Sequence, residues 1–182
     1  MPKILLLSCC APCSCGVIAQ MAEQKEDVTV LFYNPNIRPR EEYEKRLLEN
    51  KRVCEKYDVP FVALPYETRA WEEATADKPF MERGPRCSAC FRFRLTRAAE
   101  YAKALGFDYF TSVLGVSRYK DLNQVNKQAE KASRLIGVPY DFTNWRKGGL
   151  QEKTNALIKE MNLYCQDYCG CTPTKAHSKK KS

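Results

Sequence analysis

The sequence predicts an α/β fold, a mainly parallel sheet flanked by helices. Short apolar runs of strand length recur at residues 4–7, 28–33, 61–64 and 107–111. Between them lie longer stretches in which apolar residues return every three to four positions, the period of a half-buried helix. Strands that alternate with helices in this way pair in parallel, because each crossover returns the chain to the same end of the sheet. At 182 residues and 44% hydrophobic content, the chain is long enough to enclose its own core. We place a single domain at residues 1–174 and read 175–182 as a disordered basic tail.

The first strand is Ile4-Leu5-Leu6-Leu7, and Ser8-Cys9-Cys10-Ala11-Pro12-Cys13-Ser14-Cys15-Gly16 follows it. Val17, Ile18, Met21 and Ala22 then recur at helical spacing. The cysteines are therefore expected on a strand-to-helix turn, where free N–H groups and the helix dipole favour negative charge and lower a thiol's pKa. A second strand, Val28–Tyr33, ends at the turn signal Asn34-Pro35-Asn36-Ile37. Tyr43, Leu47, Asn50, Cys54 and Tyr57 mark the buried stripe of the next helix, with Glu41/Lys45 and Glu42/Arg46 as surface pairs. Cys54 lies on that stripe and reads as core packing.

Phe61–Leu64 is a third strand, and residues 66–86 read as an irregular surface excursion broken by Pro79, Gly84 and Pro85. Cys87 is expected just before a helix and Cys90 in its first turn, with Phe91, Leu95, Ala98, Ala99, Ala102 and Leu105 on the apolar face. Arg92, Arg94 and Arg97 fall off that face, as a solvated basic surface or one that contacts phosphate. Residues 107–111 form the fourth strand. A helix from Leu122 to Ile136 is closed by Gly137, residues 138–142 form a weak strand, and residues 151–161 form a short helix. It leads to Tyr164-Cys165-Gln166-Asp167-Tyr168-Cys169-Gly170-Cys171.

The net charge of +8 is half accounted for by four lysines in the tail, so the body is mildly basic and compatible with a polyanionic partner. No apolar run reaches the roughly 18 residues of a membrane span, and no secretory pattern follows Lys3; a cytoplasmic location is expected. In that reducing setting, ten cysteines point to metal or redox chemistry rather than disulfides. The single histidine, His177, lies in the tail, which argues against histidine-based acid–base and Cys-His protease chemistry. A P-loop and a dinucleotide fingerprint are both missing.

A structural zinc would use four thiolates and leave none over. Here Cys9, Cys10 and Cys13, the pair Cys87 and Cys90, and the pair Cys169 and Cys171 supply seven. An iron–sulfur cluster takes four, and the remainder suggests a second metal or a redox function. In open parallel sheets, functional groups gather beyond the carboxyl ends of the strands, where these three groups could meet.

The runs Cys9-Cys10-Ala11-Pro12-Cys13, Phe32-Tyr33-Asn34-Pro35-Asn36-Ile37, Glu41-Glu42-Tyr43, Glu82-Arg83-Gly84-Pro85-Arg86-Cys87, Cys90-Phe91 and Gln166-Asp167-Tyr168-Cys169-Gly170-Cys171 resemble the QueH-type epoxyqueuosine reductases. The resemblance runs in order from about Leu5 to Cys171. It implies a cobalamin-independent oxidoreductase with a HUP-like (Rossmann-like) fold. The expected substrate is tRNA whose anticodon loop carries epoxyqueuosine, and the epoxide oxygen is removed with electrons from an external donor. It also implies a [4Fe–4S] cluster with a mononuclear iron beside it, held by Cys9, Cys10, Cys13, Cys87, Cys90, Cys169 and Cys171. Cys15 and Cys165 stand outside the pattern, and residues 144–149 differ from the lysine-rich stretch expected there.

Catalytic roles are expected of Cys13, Asp167 and Tyr168, and base stacking of one among Tyr33, Tyr119, Tyr164 and Tyr168. Adjacent Cys9 and Cys10 are expected to point different ways. One member of each close pair would then join Cys87 and Cys90 on the cluster, and the others, with Cys13, would hold the second iron. Two further readings stand beside this one. They are a zinc-stabilised RNA-binding module and a nucleotide-activating tRNA-modifying enzyme of HUP type.

Overall fold

The structure, a computed structural model, describes residues 1–171. The expected basic tail and His177 lie outside the described residues. Strand β1 (Lys3–Ser8) is buried from Ile4 onward, as the central strand of a sheet covered on both faces must be. Helix α1 (Ala11–Glu23) starts with Cys10 as its N-cap and Pro12 in its first turn, where a missing N–H costs nothing. Strand β2 (Asp27–Phe32), helix α2 (Arg40–Lys56) and strand β3 (Phe61–Ala63) follow. Then come α3 (Thr68–Thr75), α4 (Pro85–Ala104), β4 (Tyr109–Ser112), α5 (Leu122–Ile136) and α6 (Leu150–Met161).

The four strands are parallel in the order β3-β2-β1-β4. Ile4 pairs with Val28 and Ser8 with Phe32 on one side of β1, while Leu7 pairs with Ser112 on the other. Helical crossovers carry the chain outward through α1 and α2 and then back across the sheet. Thus α1 packs on α2 and α6, while α4 packs on β1 and β4 with α3 and α5 at its sides. The direction of winding reverses at β1, and in such sheets ligands bind beyond the strand ends at that point. Cys9 and Cys10 come directly after β1. Where α1 meets α6, a Cβ on Gly16 would stand 2.2 Å from Thr154 Oγ1, so only glycine lets these helices approach so closely. Among the described residues, no helix is long and apolar enough to cross a membrane.

Four local expectations need correction. Residues 68–75 form a helix inside the stretch read as irregular; its buried residues are only Trp71 and Thr75, too few to show a period. Residues 138–142 make one parallel bridge, Phe110 with Tyr140, instead of a strand. Pro139 has no N–H to continue a ladder, and Asp141 turns the chain by accepting from the Thr143 N–H at 3.1 Å. Helix α4 begins at Pro85, three residues earlier than expected, so Cys87 is already helical and Cys90 lies beyond the first turn. Leu105 caps that helix and is half exposed, since the chain leaves the buried face there.

Candidate metal centre

The turn after β1 holds Cys9, Cys10 and Cys13 with their sulfur atoms all within 4.8 Å of one another. Among the described residues, they are the only three metal-ligating side chains brought so close. The Cys9 and Cys10 sulfurs are 3.7 Å apart. They converge instead of pointing different ways, because Cys10 keeps extended backbone while Ala11 enters the helix and Cys13 turns back over both. Cys9 and Cys10 are buried, and Cys13 is partly open.

Helix α2 fixes this turn from both ends. Asn50 Oδ1 accepts from the hydroxyls of Ser8, at the end of β1, and Ser14, in the first turn of α1. Its amide nitrogen donates to the Arg46 carbonyl at 2.7 Å, which sets the orientation of the side chain. The turn after β2 supports the same end of the sheet. Asn34 donates to the Ser8 carbonyl at 2.9 Å, and its own side-chain oxygen accepts from Arg94. Arg94 is almost fully buried and also donates to the Tyr33 carbonyl, so it is neither a solvated nor a phosphate-contacting residue.

The C-terminal loop is brought to the turn by Arg46. Its guanidinium donates to the carbonyls of Tyr168 at 3.1 Å and Cys169 at 2.8 Å, and it pairs with Glu42 at 2.7 Å. Glu42 in turn accepts from the Tyr164 hydroxyl. This pair, expected on the surface, is buried. Its helical spacing was visible in the sequence, but the burial depends on a segment 122 residues away. Gly170 has φ +130°, and a Cβ there would meet Ile37 at 2.9 Å. Its carbonyl accepts from the Arg38 N–H, so the loop lies flat on the turn after β2. Gln166 Nε2 donates to the Cys10 sulfur at 2.8 Å.

The other four expected ligands are not part of this group of three. Cys90 and Cys171 pack together with Trp71 in a small buried cluster. Cys87 and the exposed Cys169 are close enough to interact electrostatically. Lys120 faces Cys169, Cys9 and Cys13 at once, which links the loop to the triad. Asp167 is exposed on the same loop. The Tyr168 hydroxyl donates to the Arg38 carbonyl, and its ring lies 5.2 Å from the Arg46 guanidinium. Burial, aided by Glu42, pushes the Tyr168 phenol up to about 12. Of the stacking candidates, Tyr33 is buried against Phe93 and hydrogen-bonded to Glu67, Tyr164 is engaged by Glu42, and Tyr119 is open to solvent.

The thiols do not share one electrostatic fate. Donation from Cys10 and then Cys13 holds Cys9 well below the usual thiol range against the effect of burial, and Lys120 and Arg94 add to it. A bond with Cys13 favours ionised Cys10, but donation to Cys9 and burial push Cys10 up to about 12. Cys13 is raised by its bonds to Cys10 and Cys9 and by burial. Burial also raises Cys87, outweighing the helix N-terminus at which it sits. Of the three thiols, Cys9 is the one whose surroundings favour the thiolate, while burial and the neighbouring sulfurs oppose ionisation of Cys10 and Cys13. Three sulfurs at this spacing, with a lysine in place of any carboxylate, fit a thiolate-bound metal.

The family model of epoxyqueuosine reductase QueH matches residues 4–177 of this chain. The chain belongs to the epoxyqueuosine reductase QueH family. It is an oxidoreductase by that membership. It is 44% identical to the epoxyqueuosine reductase QueH of Histophilus somni over 173 residues, 93% of this chain and 70% of the relative. It is 42% identical to that of Haemophilus influenzae over 98% of this chain and 74% of the relative. The Thermotoga maritima protein is 34% identical over 94% of this chain and 89% of its own. The matched QueH segment includes every cysteine of the triad and the C-terminal loop, and it includes Arg46, Asn50 and Lys120, to which the sequence assigned no part in the site: Asn50 read as core packing and Arg46 as a surface pair. Asn50 and Arg46 lie on or beside the core stripe of α2, and Lys120 lies in a loop, so no local signal distinguished them.

Proposed function

We propose that this enzyme reduces the epoxide of epoxyqueuosine in the anticodon loop of tRNA, leaving the cyclopentene and releasing water. Membership of the QueH family carries this reading, and the cysteine geometry at the strand-order reversal supports it. The reaction breaks both carbon–oxygen bonds of the epoxide and forms one carbon–carbon double bond. It consumes two electrons, from an external donor, and two protons.

In this reading Cys9, Cys10, Cys13, Cys87, Cys90, Cys169 and Cys171 hold a [4Fe–4S] cluster and a neighbouring iron, with no cobalamin. Such a centre would supply electrons singly and a Lewis acid for the departing oxygen. The residues of the chain do the rest. Gln166 orients Cys10 and Lys120 offsets thiolate charge. Cys13, the partly open member of the triad, faces incoming substrate. Proton delivery falls to Asp167, exposed beside Cys169, while Tyr168 anchors the loop through Arg38. The reaction is placed in the cytoplasm.

Protein purified without oxygen is assayed for iron and sulfide and then mixed, after reduction, with tRNA carrying epoxyqueuosine. Mass analysis of the released nucleosides should show loss of one oxygen, and Cys13→Ala should abolish it. Zinc as the sole metal with no conversion would favour a zinc-stabilised RNA-binding module. ATP turnover without metal would favour a nucleotide-activating enzyme.

A further inference from the structure

A groove of about 1130 Å³ runs between α3, α4 and α5, and none of the cysteines lines it. Six basic and three acidic side chains do. The acids are already engaged. Glu67 and Glu100 both pair with Arg97, and Asp121 accepts from the Asn123 N–H as the cap of α5. Among the basic groups, Arg92 on α4 and Lys127 and Lys131 on α5 are exposed and have no hydrogen bond or ion pair with any described residue. Lys127 and Lys131 are one turn apart and so point the same way.

One end of the groove is lined by Gly84, Pro85 and Ser88, which flank Cys87 in the first turns of α4. Arg83, at that end, donates to the carbonyls of Arg118 at 3.1 Å and Tyr119 at 3.3 Å. Gln124 ties the start of α4 to α5 by donating to the Gly84 carbonyl and the Ser88 hydroxyl. The residue after Tyr119 is Lys120, which faces the triad. Tyr119 itself is 66% exposed, with the Arg118 guanidinium 5.2 Å from its ring. Open cations leading to an exposed aromatic ring at the mouth of a site form the pattern that binds single-stranded nucleic acid, phosphates on the cations and a base on the ring.

We propose that this groove binds the RNA backbone flanking the base presented to the cysteine site, through Arg92, Lys127 and Lys131, with Tyr119 as a stacking platform for a neighbouring base. The assignment rests on the reading of the protein as a tRNA-modifying enzyme, and it names the surface that holds the tRNA. Each phosphate contact releases counterion, so affinity should fall with salt by about 0.7 logarithmic units per contact for a single strand.

The test measures binding of tRNA carrying epoxyqueuosine, and of the same tRNA unmodified, by the full-length iron-loaded protein across a salt series. The variant Arg92→Gln/Lys127→Gln/Lys131→Gln should bind both about tenfold more weakly, with a salt slope shallower by about two. A control with the same charge change outside the groove, Lys25→Gln/Lys51→Gln/Lys159→Gln, should keep the slope. Tyr119→Ala should weaken binding several-fold with the slope unchanged. An unchanged slope in the groove variant, or equal losses in the control, would overturn the proposal. So would preference for anionic lipid vesicles over tRNA. Wild-type protein that binds tRNA through the groove but leaves epoxyqueuosine intact would instead refute the catalytic reading alone.

Discussion

Arg46 Nη1 donates to the Cys169 carbonyl at 2.8 Å, across 123 residues of chain. This contact joins the middle of α2 to the loop that brings two of the seven cysteines to the others. Its strength comes from burial. The guanidinium is only 2% exposed and shares its remaining donors between Glu42 and the Tyr168 carbonyl. Breaking a buried pair leaves one charge uncompensated, which costs more than the pair itself contributes.

Arg46→Met should therefore destabilise the protein by about 3–5 kcal/mol and speed the loss of iron. Glu42→Gln/Arg46→Met should recover part of the stability, since no charge is left behind, but not the iron, since the loop is still unanchored. Thermal unfolding and iron content after dialysis separate the two effects. Equal iron retention in all three proteins would show that the loop needs no anchor.

Lys120 has no carboxylate partner among the described residues; the sulfurs of Cys169, Cys9 and Cys13 favour its charge, the Arg94 guanidinium opposes it, and the Phe91 ring lies 5.9 Å away. Burial opposes its charge, yet those sulfurs hold its pKa above the ordinary lysine value. Lys120→Met should lower iron retention and make the reduction potential of the loaded protein more negative, because a cation near the centre favours the added electron. Lys120→Arg should restore most of both. Spectroelectrochemical titration of the three proteins is the measurement, and an unshifted potential in Lys120→Met would place the lysine outside the electrostatic reach of the metal.

Three cysteines should be dispensable for metal. Cys54 is buried in the core, Cys15 hydrogen-bonds weakly to the Thr154 carbonyl, and Cys165 is exposed with its thiol toward the Leu163 carbonyl. Cys15→Ser, Cys54→Ala and Cys165→Ser should each keep the visible absorbance of the iron centre after anaerobic loading. Bleaching in any one would add that thiol to the ligands.

Cys54 also gives the protein a pH dependence. Burial, aided by Glu55, raises its thiol to about 12 in the fold from the ordinary value of 9.0. Unfolded chains release this proton first, so the contribution to stability is full below about pH 9 and is lost as pH rises toward 12. At pH ~10.5 the loss from this residue is about 2 kcal/mol. Cys54→Ala should thus lose less stability than the wild type between pH ~8 and ~10.5 in urea unfolding. Parallel losses would mean that the thiol is ionised or hydrated in the fold.

The sequence alone determined the mainly parallel α/β class, the four strands of the sheet and five of the six helices. These rest on local patterns: the run Ile4–Leu7, the helical stripe through Asn50 and Cys54, and the αL glycine that closes α5 at Gly137. Weak local patterns were misread for the same reason. Helix α3 has two buried residues, and residues 138–142 look like a strand until Pro139 and Asp141 divert them. What only the tertiary structure decided is which polar groups are inside. Arg94 and the Glu42–Arg46 pair carry the same charges as residues on any solvated helix face, and spacing cannot reveal that a carbonyl from Tyr33 or Cys169 will cover them. The convergence of Cys9 with Cys10 was likewise a matter of three dimensions. Neighbouring residues on a turn diverge or meet according to the backbone between them, and Asn50, from another helix, braces this turn by accepting from Ser8 and Ser14 on either side of the cysteines.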